Sequence, residues 1–92
     1  MNTIHSTDSM ELEIATLLKK SNIDFYHESD PERPGPPLDF YLPYYGIYIE
    51  VKRFHSDRIS KQLQYADNVI VIQGIESLNF IKEIFSMLIS KT

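Results

Sequence analysis

Apolar positions near the start of the chain recur with helical spacing. In STDSMELEIATLLKKSNIDF, Met10, Ile14, Leu17 and Leu18 fall at i, i+4, i+7 and i+8, which is one face of a helix. Asp8 or Ser9 serves as N-cap, Lys19 and Lys20 suit the negative end of the helix dipole, and Asn22 can stop the helix in the left-handed region. Residues 1–8 read as a loose, mostly polar lead-in. The period then shortens. IDFYHE (23–28) reads as a short strand, and SDPERPGPP (29–37), with four of the five prolines, as an extended loop. LDFYL (38–42) and IYIEVKRF (47–54) alternate with period two on either side of PYYG, which predicts an antiparallel hairpin.

Helical spacing returns in SDRISKQLQYA (56–66), with Ser56 as cap and Ile59, Leu63 and Ala66 on one face. NVIVIQG (68–74) holds an unbroken run of four apolar residues, the pattern of a strand covered on both faces. IESLNFIKEIFSMLISK (75–91) closes as a helix whose main stripe is Leu78, Ile81, Phe85 and Leu88. Phe80, Ile84 and Met87 widen that stripe beyond what a half-solvated helix needs, which predicts a partner surface. The order α-β-β-β-α-β-α predicts a single α/β domain over residues 1–92. Its mixed central sheet is a hairpin plus a strand brought parallel by a right-handed helical crossover, flanked by helices and followed by a C-terminal helix.

Size and composition narrow this picture. Ninety-two residues make one domain with a thin core, so a homodimer is expected. The chain has no cysteine, which removes disulfides and thiolate metal sites. Neither a leader pattern nor an apolar run of membrane length is present, so the expectation is a cytoplasmic protein without a membrane partner. The formal net charge of −4 argues against nucleic acid until its distribution is considered. Lys52, Arg53, Arg58 and Lys61 form a local basic stretch against one acid, Asp57, whereas Asp24, Glu28, Asp30 and Glu32 lie elsewhere. Such a stretch suits phosphates, and it equally suits a solvated helix.

The charges inside the hairpin carry the chemistry. Side chains two apart in a strand share a face, about 6.5–7 Å from one another. Glu50, Lys52 and Tyr48 therefore point one way, and Ile49 and Val51 the other. Asp39 lies in the neighbouring strand, and a bulge or stagger would place its carboxylate beside that of Glu50. An exposed strand ion pair worth under about 1 kcal/mol would explain Glu50 and Lys52. These strands read as central, however, and central strands seldom hold charge without a purpose. Two converging carboxylates repel unless a cation separates them, and hard oxygen donors suit Mg2+ or Mn2+. The Lys52 ammonium can then steer water or stabilise charge building on a phosphate.

Asp39 followed by Glu50-Val51-Lys52, set in an α-β-β-β-α-β order, resembles the PD-(D/E)xK nuclease superfamily, particularly small resolvase-like and virus-type replication–repair members. The resemblance spans residues 10–74; Leu38, between Pro37 and Asp39, departs from the usual proline-aspartate pair. It implies a restriction-endonuclease-like core and a Mg2+-dependent nuclease hydrolysing DNA phosphodiester bonds through a metal-activated water, with RNA left open. Asp39, Glu50 and the backbone carbonyl of Val51 would hold the metal, and Lys52 would position water. A further acid often comes from the first helix. Glu11, at the edge of the apolar stripe, is chosen over Glu13, although a first-turn acid also serves the helix dipole. Gln62 and Tyr65 resemble a Q-x-x-Y element near the metal, and with Arg53, Arg58 and Lys61 they would meet nucleic acid; a polar helical face accounts for them as well. Tyr41 and Tyr48 share the face of Asp39 and Glu50 and are read as structural, and His5, His27 and His55 as surface residues. The rival expectation is a catalytically silent binding or assembly module on the same fold.

Overall fold

The first helix forms where its spacing placed it. In the computed structural model, which describes residues 1–52 and 68–90 (side chains as far as Met87), α1 spans Ser9–Lys20. Asp8 caps it, its carboxylate accepting from the N–H groups of Met10 and Glu11 at 2.9 and 3.1 Å. Ser21 closes the last turn by donating to the Leu17 carbonyl, and Asn22 follows at φ +56°, the left-handed stop expected of it. Met10, Ile14, Ala15 and Leu18 are buried, with Leu17 only half so. The buried stripe therefore runs one position nearer Ala15 than the apolar spacing suggested.

Four strands make the sheet: β1 (Tyr26–His27), β2 (Phe40–Leu42), β3 (Ile47–Lys52) and β4 (Val69–Gln73), in the order β1-β2-β3-β4. β1–β2 and β2–β3 are antiparallel and β3–β4 is parallel, the mixed sheet that the sequence order required. The PYYG turn closes on the Leu42–Ile47 pair, and Gly46, at φ +65°, donates its N–H to the Leu42 carbonyl. The second helix among the described residues, α2 (Gly74–Ser90), follows β4 directly. The expected helix over 56–66 lies outside the described residues, as does the side chain of Leu88.

Strand parity sorts the two faces. Phe40, Leu42, Ile49, Val51 and Ile72 share the core with α1 and with Leu78, Ile81 and Phe85 of α2, so both described helices cover one face. Tyr41, Tyr48 and Glu50 point to the other. Phe40 is fully buried and meets Phe25 edge-on, ring centroids 5.5 Å apart. Phe40→Ala is expected to lower stability by about 3–5 kcal/mol, read as a fall in the urea midpoint at unchanged slope.

Two expectations need correction, one on β4 and one on the strand bounds. β4 is not covered on both faces: Ile70 is 46% exposed and Val71 is also exposed, because β4 is the outer strand of this order. The first strand is two residues long instead of six, and the second begins at Phe40 instead of Leu38. The N-terminal residues make defined contacts. Asn2 exchanges hydrogen bonds of 2.8 Å with the Phe25 backbone in both directions, and its side-chain amide donates to Asp24, also at 2.8 Å. Ile4 packs against the core, so the segment lies alongside the chain that leads into β1.

Candidate functional site

Asp39 precedes β2 by one residue, and its carbonyl accepts from the Glu28 N–H, which prolongs the β1–β2 ladder. Continuing the β2–β3 register beyond Phe40–Ile49 sets Asp39 directly opposite Glu50. No bulge is needed. The two acids share the face of Tyr41 and Tyr48, whose rings lie 4.7 Å apart between centroids. Both carboxylates are buried, Glu50 to 1% exposure.

Their surroundings differ. One oxygen of Asp39 accepts the N–H of Val51 at 2.7 Å, so this carboxylate also terminates the ladder on β3. Neither oxygen of Glu50 has a hydrogen-bond donor among the described residues. Lys52 Nζ stands 3.5 Å from Glu50 Oε1, close enough for attraction and too long for a firm hydrogen bond. Burial first, and neighbouring Asp39 next, push the Glu50 carboxyl up to about 9, with Lys52 opposing them. Near neutrality Glu50 therefore keeps its proton. An acid held in its neutral form, with no donor of its own, is a place where a cation can replace the proton. No protein-family model, curated protein or solved structure matches the chain.

The expected residues therefore separate into groups. Asp39, Glu50 and Lys52 come together. Val51 lends its N–H to Asp39, whereas the sequence reading assigned its carbonyl to a metal. Glu11 does not join the pair. Its Oε1 is 2.7 Å from His27 Nε2, and its Oε2 accepts from Ser6 Oγ at 3.4 Å. Asp39 acts on it through its charge: burial raises the Glu11 carboxyl, the His27 hydrogen bond opposes this, and Asp39 and Asp8 add to the rise. Glu13, the rejected alternative, forms a surface pair with Lys82 at 3.5 Å. Among the described residues, no three His, Cys, Asp or Glu side chains form a group able to hold a metal. Arg53, Arg58, Lys61, Gln62 and Tyr65 lie outside the described residues.

His27 was missed. It was read as a surface residue, yet it is 4% exposed and lies in β1 opposite Phe40, the two ring centroids 5.3 Å apart. The available signal was parity: Phe25 and His27 are two apart in a strand, so an inward Phe25 carries His27 inward as well. Tyr44 and Tyr45, at the hairpin tip, are exposed and stacked edge-on against each other. No described helix is long and apolar enough to cross a membrane.

Proposed function

We propose that this chain is a Mg2+-dependent nuclease that hydrolyses DNA phosphodiester bonds, with Asp39 and Glu50 holding the cation and Lys52 directing the attacking water. The reading rests on one observation, the Glu50 carboxylate: buried on a central strand, opposite Asp39, and without a hydrogen-bond donor among the described residues. Such a group costs the fold stability, since its one ion-pair partner among the described residues, Lys52, stands 3.5 Å away and its other neighbour is a second acid. A divalent cation between the two carboxylates satisfies both, and hard oxygen donors select Mg2+ or Mn2+. When bound, such an ion polarises a phosphate oxygen and lowers the pKa of water.

The chain's own residues supply the remaining parts. Lys52 is partly exposed and only loosely held by Glu50, so its ammonium can turn to a water or to a phosphate oxygen that is gaining charge. Glu11 contributes its charge from the side of Asp39. The basic and polar residues Arg53, Arg58, Lys61, Gln62 and Tyr65 are proposed to hold the DNA backbone, which makes binding salt-sensitive. The reading includes a homodimer in the cytoplasm, one site per strand. Phe80 and Met87, 61% and 57% exposed on α2, mark its proposed contact.

The test is cleavage of supercoiled, branched and single-stranded DNA with and without Mg2+, alongside thermal melting at millimolar Mg2+ or Mn2+. Metal-dependent cleavage with a raised melting temperature is expected. No cleavage and no metal-induced shift would leave the silent module as the function of this fold.

A further inference from the structure

We propose that Tyr44 and Tyr45, at the tip of the β2–β3 hairpin, form a stacking platform for unpaired bases, so that the DNA taken by this chain is single-stranded beside the scissile phosphate. The inference deepens the nuclease reading above and rests on it for the polymer it names. Four of the six tyrosines lie on this hairpin, and the structure divides them into two pairs. Tyr41 and Tyr48 face each other across the strands and are partly buried. A Cβ at Gly35 would collide with the Tyr48 hydroxyl, so the proline-rich loop rests on that pair, and packing accounts for it. Tyr44 and Tyr45 have no such account. They are 86% and 55% exposed and meet each other edge-on, 5.0 Å between ring centroids. The turn is closed by backbone alone, the Tyr45 and Gly46 N–H groups both donating to the Leu42 carbonyl at 3.2 and 2.9 Å. Its rings add nothing to that closure, and the residues that turns favour are small or polar.

Position and charge say what these rings can meet. The hairpin that ends in them also carries Asp39 and Glu50, three register steps from the Leu42–Ile47 pair. At about 3.3 Å per step the rings stand on the order of 10–15 Å from the carboxylates, roughly three to five base steps of about 3.4 Å. Tip and acids belong to one paired element, so that spacing is fixed. From Phe40 to Ile49 the hairpin has no charged residue, and a DNA strand passing from the tip to the acids meets no negative side chain of the hairpin on the way. Apart from its chain neighbours, no described atom lies within 4 Å of where a Cβ on Gly46 would stand, so the tip is open. A tyrosine ring offers a base a flat π-face while its hydroxyl stays in water. In a duplex the base faces are already stacked on one another, and only an unpaired base presents one.

The experiment measures binding and cleavage separately on three DNAs of one sequence: a single strand, a perfect duplex, and a duplex with a single-stranded flap. Binding is read by fluorescence anisotropy in chelator, with 2-aminopurine placed along the unpaired segment to report stacking. Wild type should bind the single strand and the flap more tightly than the duplex. Cleavage in Mg2+ should fall roughly three to five nucleotides from the base that reports stacking. Tyr44→Ala/Tyr45→Ala should keep its melting temperature, bind unpaired DNA about 10–100-fold more weakly, and bind duplex as wild type does. Tyr44→Phe/Tyr45→Phe should keep most of the affinity, since the ring faces remain. Wild-type affinity for the single strand in the alanine variant, an equal loss on the duplex, or a wild type that prefers duplex overturns the inference. If the alanines prevent folding, Tyr44→Asn/Tyr45→Asn, with a residue that turns favour, is judged by the same outcomes. Any of these failures with metal-dependent cleavage intact leaves the nuclease reading standing. Single-strand binding that needs both rings, with no cleavage in Mg2+, keeps the platform and ends the nuclease reading.

Discussion

Lys52→Ala is expected to abolish most DNA cleavage while leaving the protein folded. The ammonium is partly exposed and 3.5 Å from its only acidic neighbour among the ion pairs of the described residues, so its removal takes little from the fold. On the proposed nuclease reading, what it removes is a charge directed at the phosphate and the attacking water. Losing one such group from a preorganised site lowers turnover by about 10²–10³-fold. Asp39→Asn should be at least as damaging, with a second signature: the metal-induced rise in melting temperature shrinks, because the cation loses a charged ligand. Single-turnover cleavage and melting curves of the same preparations separate the two effects. Full activity in both variants would end the nuclease reading.

Metal-free protein should lose stability as pH rises from about 4.5 to about 9, and Glu50→Gln should abolish most of that loss. The direction follows from the raised Glu50 carboxyl. An acid whose folded pKa exceeds its unfolded value contributes fully below the unfolded value, and that contribution is lost as pH climbs through the folded one. The full difference, from 4.5 to about 9, corresponds to an upper bound of about 6 kcal/mol at about 1.4 kcal/mol per unit. Relaxation around a buried group makes a few kcal/mol the expected size. For a domain of this length each kcal/mol moves the melting temperature by about 4–8 °C, so a fall on the order of 10 °C between pH 5 and pH 9 is expected. Glu11, also raised, acts in the same direction, whereas Asp30 is lowered and matters only in acid. Scanning calorimetry in chelator across this range is the measurement. Parallel curves for wild type and Glu50→Gln would show that the carboxyl is not buried as described.

Much of this site was legible in the sequence because strand parity is local. Asp39, Tyr41, Tyr48, Glu50 and Lys52 were assigned to one face from alternation alone, and the sheet keeps them there. The register was not legible, since it depends on how the PYYG turn closes; the Leu42–Ile47 pair brings Asp39 opposite Glu50 without a bulge. The environment of Glu11 was invisible for a different reason. Its partner is sixteen residues away in β1, and nothing in the local pattern of either residue announces the other. β4 was misread because an apolar run records what a strand could bury, whereas its place at the outside of the sheet is a property of the whole fold. Asn2 shows the same limit, as its bonds to Phe25 join segments with no shared periodicity.

The bond from the Val51 amide to Asp39 makes the two acids unequal witnesses to the protein's purpose. A lineage that had abandoned hydrolysis would still have reason to keep an acceptor at position 39, because the strand beside it would otherwise end on an unanswered amide. No comparable reason would protect position 50, where a neutral or apolar side chain would relieve the fold. On the proposed nuclease reading, survival of glutamate there, more than of aspartate at 39, is therefore the mark by which hydrolytic and silent copies of this chain can be told apart.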